Sequence, residues 1–178
     1  MKTLGTQRVD TRKVAYSVIL AAIAIALSPF NIPIALGPIV RPLPWQHMVN
    51  VLGAVLVGPW YALAVALVAA IVRNAIGTGT LFAFPGGMIG AFLAGWTYRL
   101  TRNLYLAALG EIIGTGVIAA LFSTLIWAPT VMNRPMAATA LIIPFSISTI
   151  VGSVLGIVGV LILERARVIE PRAGAKAV

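Results

Sequence analysis

Charged side chains are too scarce in this chain to form the outer surface of a water-soluble domain. Of its 178 residues, 60% are hydrophobic and only 10% are charged, whereas a soluble domain carries about 25% charged residues. The mean hydropathy is +1.02. Uncharged runs such as 48–72 are suited to the hydrocarbon of a lipid bilayer. The sequence therefore predicts an all-α integral membrane protein, because a helix satisfies its backbone hydrogen bonds internally.

Proline and glycine divide the apolar sequence into stretches of the length of membrane helices. The pair at 58–59, Gly-Pro, interrupts one of the longest, because proline lacks a backbone donor and disfavours a helical conformation before it. One long kinked helix is the alternative there. The Pro-rich stretch 30–45 is predicted to be a loop, one that could dip into the membrane or act as a lid. We expect six helices, at about 14–29, 46–58, 60–75, 87–101, 105–128 and 137–165.

These helices predict a single six-transmembrane-helix bundle over residues 1–170, followed by a disordered cytoplasmic tail at 171–178. Six spans leave both termini on the same side. If that side is the cytoplasm, ten of the 13 cationic residues lie inside and three outside, which is the bias that membrane proteins show. We therefore expect a multi-pass protein of the cell membrane with both termini in the cytoplasm. The ten are Lys2, Arg8, Arg12, Lys13, Arg99, Arg102, Arg165, Arg167, Arg172 and Lys176; the three are Arg41, Arg73 and Arg134.

Several function classes are disfavoured by the residues that the chain lacks. A net charge of +9 would favour nucleic acid in a soluble protein, but here the cations lie in gaps between apolar runs, so no nucleic-acid binding is expected. Cysteine is absent and His47 is the single histidine, so we expect no metal site and no cofactor. The base, nucleophile and orienting group of an enzyme do not converge in the sequence. The Gly-Lys-Ser/Thr ending of a phosphate loop is also missing.

Polar residues within the apolar sequence are the candidates for a binding site. Gln46 and Asn50 share a helical face at the start of the second predicted helix, and His47 flanks it. We expect them near the outer surface, either as hydrogen-bonding groups for a small polar ligand or as interfacial residues that cap the helix. Arg73 and Asn74 close the third helix near the same surface, where Arg73 could reach water or anchor an anionic group.

Two further groups extend this candidate site. The loop at 77–87 combines glycines with hydroxyl and aromatic side chains, so Thr80 and Phe84 could form a wall of a ligand cavity. Trp45 and Trp127 fall near predicted span ends, as an aromatic belt requires, and also near the proposed cavity.

Glu111 lies about two turns into the fifth predicted helix, in its cytoplasmic half. A carboxylate within the hydrocarbon is costly and usually functional. Three interpretations remain open for it. It could pair with Arg99 or Arg102, it could reach a buried polar cavity or ligand, or it could lie close enough to the interface to be wet.

Small residues are predicted to mediate helix packing and one partner contact. Burying leucine gains little in lipid, so membrane helices associate through close packing at small residues. Glycines at spacing four occur at 86 and 90, 110 and 114, and 152 and 156. Ala22 and Ala26 lie on one face of the first helix, and either internal packing or a partner protein could cover that face.

Four stretches of the sequence carry a family resemblance. The first is 46–62, with QHMVNVLG followed by LVGPWYA; the others are 73–80, 84–91 and 110–116. In order and spacing they resemble the substrate-binding subunits of energy-coupling factor (ECF) transporters, and among these the ThiW type.

The resemblance implies a six-helix substrate-capturing subunit, called the S component, that binds a vitamin or precursor near the outer face. It implies two kinds of partner: a transmembrane coupling (T) component, which the Ala22 and Ala26 face would contact, and two cytoplasmic ATPases. For the ThiW type the implied substrate is the thiazole moiety of thiamin, hydroxyethylthiazole. The alternatives are thiamin or its pyrimidine half in the same architecture, or a stand-alone secondary transporter. For the last of these, Glu111 is the one candidate coupling charge, and we find no convincing internal repeat.

Overall fold

Helices account for all the regular structure in the part of the chain that the structure describes. This computed structural model describes residues 10–30 and 44–170, in which no strand occurs. Of the loop predicted at 30–45, residues 31–43 lie outside the described residues, as do residues 171–178, where a disordered tail was predicted; Pro44 and Trp45 belong to a helix. The described helices are α1 (Thr11–Ala26), α2 (Pro44–Leu56), α3 (Pro59–Ala75), α4 (Ala83–Thr101), α5 (Leu104–Val131) and α6 (Ile142–Arg165).

Prolines define where four of these helices begin. Pro44 and Pro59 are the first residues of α2 and α3, and Pro85 and Pro144 are the third residues of α4 and α6. Proline is tolerated in the first turn, where its missing N–H has no partner in the helix anyway. The starts predicted at 87 and 137 were therefore wrong for α4 and α6. The predicted start at 87 placed Pro85 before α4, and the predicted start at 137 placed Pro144 in the interior of α6.

The break between α2 and α3 lies at Gly58, as the sequence predicts. Gly58 has a φ of +84°, a conformation that is costly for residues with a Cβ atom. Its carbonyl accepts the first backbone bond of α3, from Ala62. The chain therefore turns sharply here, and the alternative of one long kinked helix was wrong.

The central element of the fold is α2, which packs against each of the other five helices. Glycines allow the closest approaches. A Cβ atom on Gly114 of α5 would lie 3.1 Å from the Cα of Gly90 on α4, and one on Gly156 of α6 would lie within 2.7 Å of Val51 on α2. Such contacts at small residues are typical of helix packing in membranes. They bring α4, α5 and α6 close enough to α2 for polar side chains to meet.

Helices α5 and α6 are long and apolar enough to cross a bilayer. The 24 residues of α6 extend about 36 Å at 1.5 Å per residue, against a hydrocarbon thickness of about 30 Å. Helix α5 contains two π-helical segments, Gly114–Ala119 and Ser123–Trp127. Helix α3 is apolar but shorter.

Candidate binding site

A fully buried carboxylate joins α5 to α2. The Oε1 atom of Glu111 on α5 lies 2.8 Å from Nδ1 of His47 and 3.0 Å from Nδ2 of Asn50, both on α2. It also accepts a hydrogen bond of 3.0 Å from Thr115, one turn further along α5. The side chain of Glu111 is 0% exposed. Because an ionised carboxylate only accepts, His47 donates through Nδ1 in this arrangement.

This polar cluster continues to a buried arginine. Asn50 accepts a hydrogen bond of 3.0 Å from the Gln46 amide, and Gln46 in turn accepts one of 3.1 Å from Nη1 of Arg73 on α3. Arg73 is only 3% exposed. The chain of hydrogen bonds thus has a cation at one end, the Glu111 carboxylate at the other and two amides between them. We call Gln46, His47, Asn50, Arg73, Glu111 and Thr115 the polar cluster.

The backbone of α4 completes the cluster. The carbonyl of Gly87 accepts from Nδ2 of Asn50 at 3.0 Å. The single hydroxyl hydrogen of Thr115 is shared between Oε1 of Glu111 and the carbonyl of Gly86, each 3.0 Å from the hydroxyl oxygen. A Cβ atom at Gly90 would overlap the carboxylate of Glu111 and the hydroxyl of Thr115. The glycines of α4 therefore leave the space that the cluster occupies. Thr115 lies in the first π-helical segment of α5, a feature often found at functional sites.

Beside the cluster lies a cavity of about 70 Å³, which we call the polar cavity. Its volume is enough for more than one water molecule. The rings of Phe82 and Phe145 give it apolar faces, and hydroxyl, amide, imidazole and guanidinium groups give it polar ones. The lining residues are Gln46, His47, Arg73, Thr80, Phe82, Ala83, Gly86, Gly87, Thr115, Pro144, Phe145 and Ser148.

Two buried atoms of the cluster have no hydrogen-bonding partner in the described part of the chain. They are Nε of Arg73 and Oε2 of Glu111. The structure also gives Nε2 of His47, a residue that lines the cavity, no hydrogen bond within residues 10–30 and 44–170. Buried polar groups are usually paired, so a ligand with both donors and acceptors would find unused capacity here.

The structure brings six of the ten predicted site residues together. Gln46, His47, Arg73 and Thr80 line the polar cavity, while Asn50 and Glu111 belong to the polar cluster behind it. For Glu111 this supports the second interpretation, a buried polar site. Its partners are neither Arg99 nor Arg102, and its complete burial excludes the wet position.

The other four predicted residues lie outside the wall of this cavity, and their role in substrate binding stays a prediction. The Trp45 indole donates to the carbonyl of Phe30, which links the end of α1 to the start of α2. Asn74 donates to the carbonyls of Ala70 and Thr80 and braces the loop before α4. The Phe84 and Trp127 rings face each other at 6.2 Å, and Trp127 packs against the buried cluster that contains Phe82 and Phe145.

Sequence reasoning missed several residues of the wall, among them Thr115, Ser148 and Phe145. Thr115 had a usable signal, because it lies four residues after Glu111 and therefore on the same helical face. Ser148 and Phe145 had none, since apolar runs with scattered hydroxyls occur throughout the chain. Within the described residues, no group of three or more His, Asp or Glu side chains could hold a metal ion. The chemistry that the site offers is hydrogen bonding and apolar contact.

Comparisons with known proteins give one match. The family model described as thiamine-precursor transporter protein (ThiW) matches residues 14–166, which includes every residue of the polar cluster. No curated protein and no solved structure shows a significant match to the chain.

Proposed function

The chain belongs to the ThiW family of thiamine-precursor transporters, and on that premise we propose that it is the substrate-capturing S component of an ATP-driven ECF transporter. Its proposed substrate is hydroxyethylthiazole, the thiazole moiety of thiamin. The observation that carries this proposal is the polar cavity, where a cation, an imidazole and two phenylalanine rings surround a small space.

The chemistry of hydroxyethylthiazole is complementary to this cavity. The ring has apolar faces that can pack on Phe82 or Phe145. Its nitrogen accepts a hydrogen bond, and its hydroxyl both donates and accepts, so Arg73 and Nε2 of His47 are suitable partners. The volume of about 70 Å³ disfavours thiamin, which has two rings.

The pyrimidine half of thiamin is the second candidate, and one observation favours it. An aminopyrimidine donates from its amino group, and Oε2 of Glu111 is a buried acceptor without a partner. This oxygen adjoins Gly90, whereas the residues that line the cavity do not include Glu111. The thiazole therefore fits the accessible groups better.

The proposed arrangement in the membrane is a six-span bundle with both termini in the cytoplasm. Lys13 at the start of α1 and Arg99 and Arg102 at the end of α4 line one cavity, at the opposite end of α2 from Gln46 and His47. The clustering of cations at that end supports a cytoplasmic assignment for it. The polar cavity would then open towards the outside, where a substrate arrives.

The test of the substrate assignment is a titration of the purified protein with hydroxyethylthiazole, with thiamin and its pyrimidine half in parallel, followed by calorimetry. We expect saturable binding of the thiazole. In His47→Ala the affinity should fall at least about tenfold, because losing a hydrogen bond at a buried site costs roughly 1–3 kcal/mol. Thr130→Ala is the control, since Thr130 is exposed and bonds only its own helix; its affinity should be unchanged.

The outcomes of this titration separate the alternatives. Binding of the pyrimidine alone would keep the transporter and overturn the thiazole. Uptake by proteoliposomes that contain this chain alone, driven by an ion gradient, would favour a stand-alone secondary transporter. An S component instead requires its T component, two ATPases and ATP.

The proposed contact with the T component is the alanine face of α1. Ala22 and Ala26 are exposed on this helix, whereas Leu20, Ala21 and Ala24 are buried against the bundle. Close packing at small residues stabilises contacts between membrane helices, so this face suits a partner helix. Nothing within the described residues covers it.

Replacing both alanines by leucine should block transport without affecting substrate capture. Six extra carbon atoms on this face would hold a partner helix away, while the polar cavity lies on other helices. We expect the double variant Ala22→Leu/Ala26→Leu to bind the ligand with unchanged affinity and to lose most ATP-driven uptake in the reconstituted complex. Val154→Leu/Val158→Leu, at two exposed positions one turn apart on α6, is the control and should transport normally. Undiminished uptake by the double variant would place the interface elsewhere.

A further inference from the structure

A second cavity lies at the opposite end of the bundle from the polar cavity. Its volume is about 410 Å³, within the range of ligand sites. Three of its lining residues are cationic and none is acidic. We call it the basic cavity; the residues that line it are Lys13, Ala54, Val55, Leu56, Val57, Gly58, Pro59, Trp60, Tyr61, Tyr98, Arg99 and Arg102.

The charges in this cavity are only partly balanced. Lys13 forms an exposed ion pair with Asp10 at 3.8 Å, and Arg99 lies over the ring of Trp96 at 5.0 Å. For Arg102 the structure gives no carboxylate partner within residues 10–30 and 44–170. Since the whole chain has only four acidic residues, three cations from α1 and α4 face one space with little to offset their repulsion.

The first turn of α3 adds backbone donors to the same cavity. Gly58, Pro59, Trp60 and Tyr61 all line it, and no side chain caps this 17-residue helix. The free N–H groups at a helix start carry partial positive charge and commonly bind phosphate. The helix start and the three side-chain cations are independent features, and both indicate an anionic ligand.

An aromatic surface leads away from the basic cavity. Trp60 contacts Phe92 edge-to-face at 5.2 Å, and Phe92 contacts Trp96 at 6.2 Å. Trp60 is 59% exposed. A soluble anion would make no favourable contact with such a surface, whereas an acyl chain can pack along it. Aromatic side chains are also enriched at the depth of the lipid headgroups.

We propose that the basic cavity binds the phosphate of an anionic phospholipid, with an acyl chain along Trp60, Phe92 and Trp96. Basic pockets between membrane helices are known to hold anionic headgroups. The site is separate from the polar cavity and does not depend on which precursor is transported. With the orientation proposed above, it takes a lipid of the cytoplasmic leaflet.

The test uses the full chain reconstituted in phosphatidylcholine vesicles that contain brominated phosphatidylglycerol or, at equal mole fraction, brominated phosphatidylcholine. Bromine quenches nearby tryptophan, so in a Trp45→Phe/Trp127→Phe background, which removes the other two tryptophans, the quenching reports lipid at Trp60 and Trp96. We expect phosphatidylglycerol to be preferred at least about fivefold, as one basic residue contributes about that factor. Arg99→Gln/Arg102→Gln should remove most of the preference. Arg165→Gln/Arg167→Gln, which removes the same charge outside the cavity, should keep it.

Three results would overturn the proposal. Equal quenching by the two lipids would show that there is no anionic site, and equal losses in both double variants would show only a general effect of charge. Displacement of phosphatidylglycerol by millimolar inorganic phosphate would indicate a site for a soluble anion. Native mass spectrometry of the unaltered, delipidated protein provides a check that does not depend on variants folding. It should retain phosphatidylglycerol over phosphatidylcholine, and equal retention would also count against the site.

Discussion

Replacement of Glu111 by alanine is expected to destabilise the protein by about 3–5 kcal/mol, the usual cost of removing one partner from a buried charged network. The change removes the acceptor of His47, Asn50 and Thr115 at once. These donors are buried between α2 and α5, and a buried donor that loses its acceptor is costly. Ligand binding should be lost with it, since His47 would no longer be held at the cavity wall. The measurements are thermal unfolding in detergent and the thiazole titration.

Two control substitutions show whether the loss of stability is specific to the buried carboxylate of Glu111. Glu111→Gln keeps an acceptor at Oε1 and the size of the side chain, so we expect a smaller loss of stability. Glu170→Ala removes an exposed carboxylate and should change the unfolding free energy by no more than about 0.5 kcal/mol. An unfolding midpoint of Glu111→Ala equal to that of the unaltered protein would mean that the polar cluster does not hold these helices together.

A methyl group at Gly90 is expected to have the second-largest effect. It would overlap the Glu111 carboxylate and the Thr115 hydroxyl, so α4 and α5 must separate or the cluster must rearrange. Overpacking of this kind costs about 1–3 kcal/mol. Gly90→Ala should therefore lower the thermal midpoint and weaken ligand binding together.

Gly87→Ala is the matched control for this prediction. It adds the same methyl group one turn earlier on α4, where the nearest atom, in the Gln46 side chain, is 3.6 Å away. That is an ordinary contact, so stability should be retained. Equal destabilisation by both substitutions would point to a general intolerance of α4 for alanine rather than to the space beside Glu111.

The sequence predicted which polar residues contribute to the site better than it predicted the contacts between them. Gln46 and Asn50 share a helical face at spacing four, and the structure confirms their contact. The hydrogen bonds of His47 and Asn50 to Glu111 join residues more than 60 positions apart in the sequence, so no local pattern predicts them. Asn50 and Glu111 are both fully buried in the bundle, and burial of this kind depends on the packing of several helices rather than on the sequence of one. Their position relative to the outer surface stays a prediction.

Aromatic and hydroxyl residues were the least predictable parts of the site. An aromatic belt rule gives the depth of Trp45 and Trp127 but not the direction of their rings. Hydroxyl groups are ambiguous for another reason, because serine and threonine in apolar helices often bond their own backbone, as Thr130 does. Thr115 instead bonds across to α4. Only the packing of α4 on α5 decides whether such a hydroxyl group bonds its own helix or a neighbouring one.

The enclosure of α2 has a consequence for how the protein is made. Nine of its 13 residues are buried, three of them polar. In the six-span arrangement proposed above, this helix would be too short and too polar to partition alone from the translocon into lipid. It must be sheltered by its neighbours α1 and α3 during synthesis. Helix α6, which closes on α2 at Gly152 and Gly156, is the last of the six described helices to emerge from the ribosome. The central helix would therefore remain in an incomplete bundle until almost the whole chain has been translated. Insertion factors would bind the protein mainly during this period.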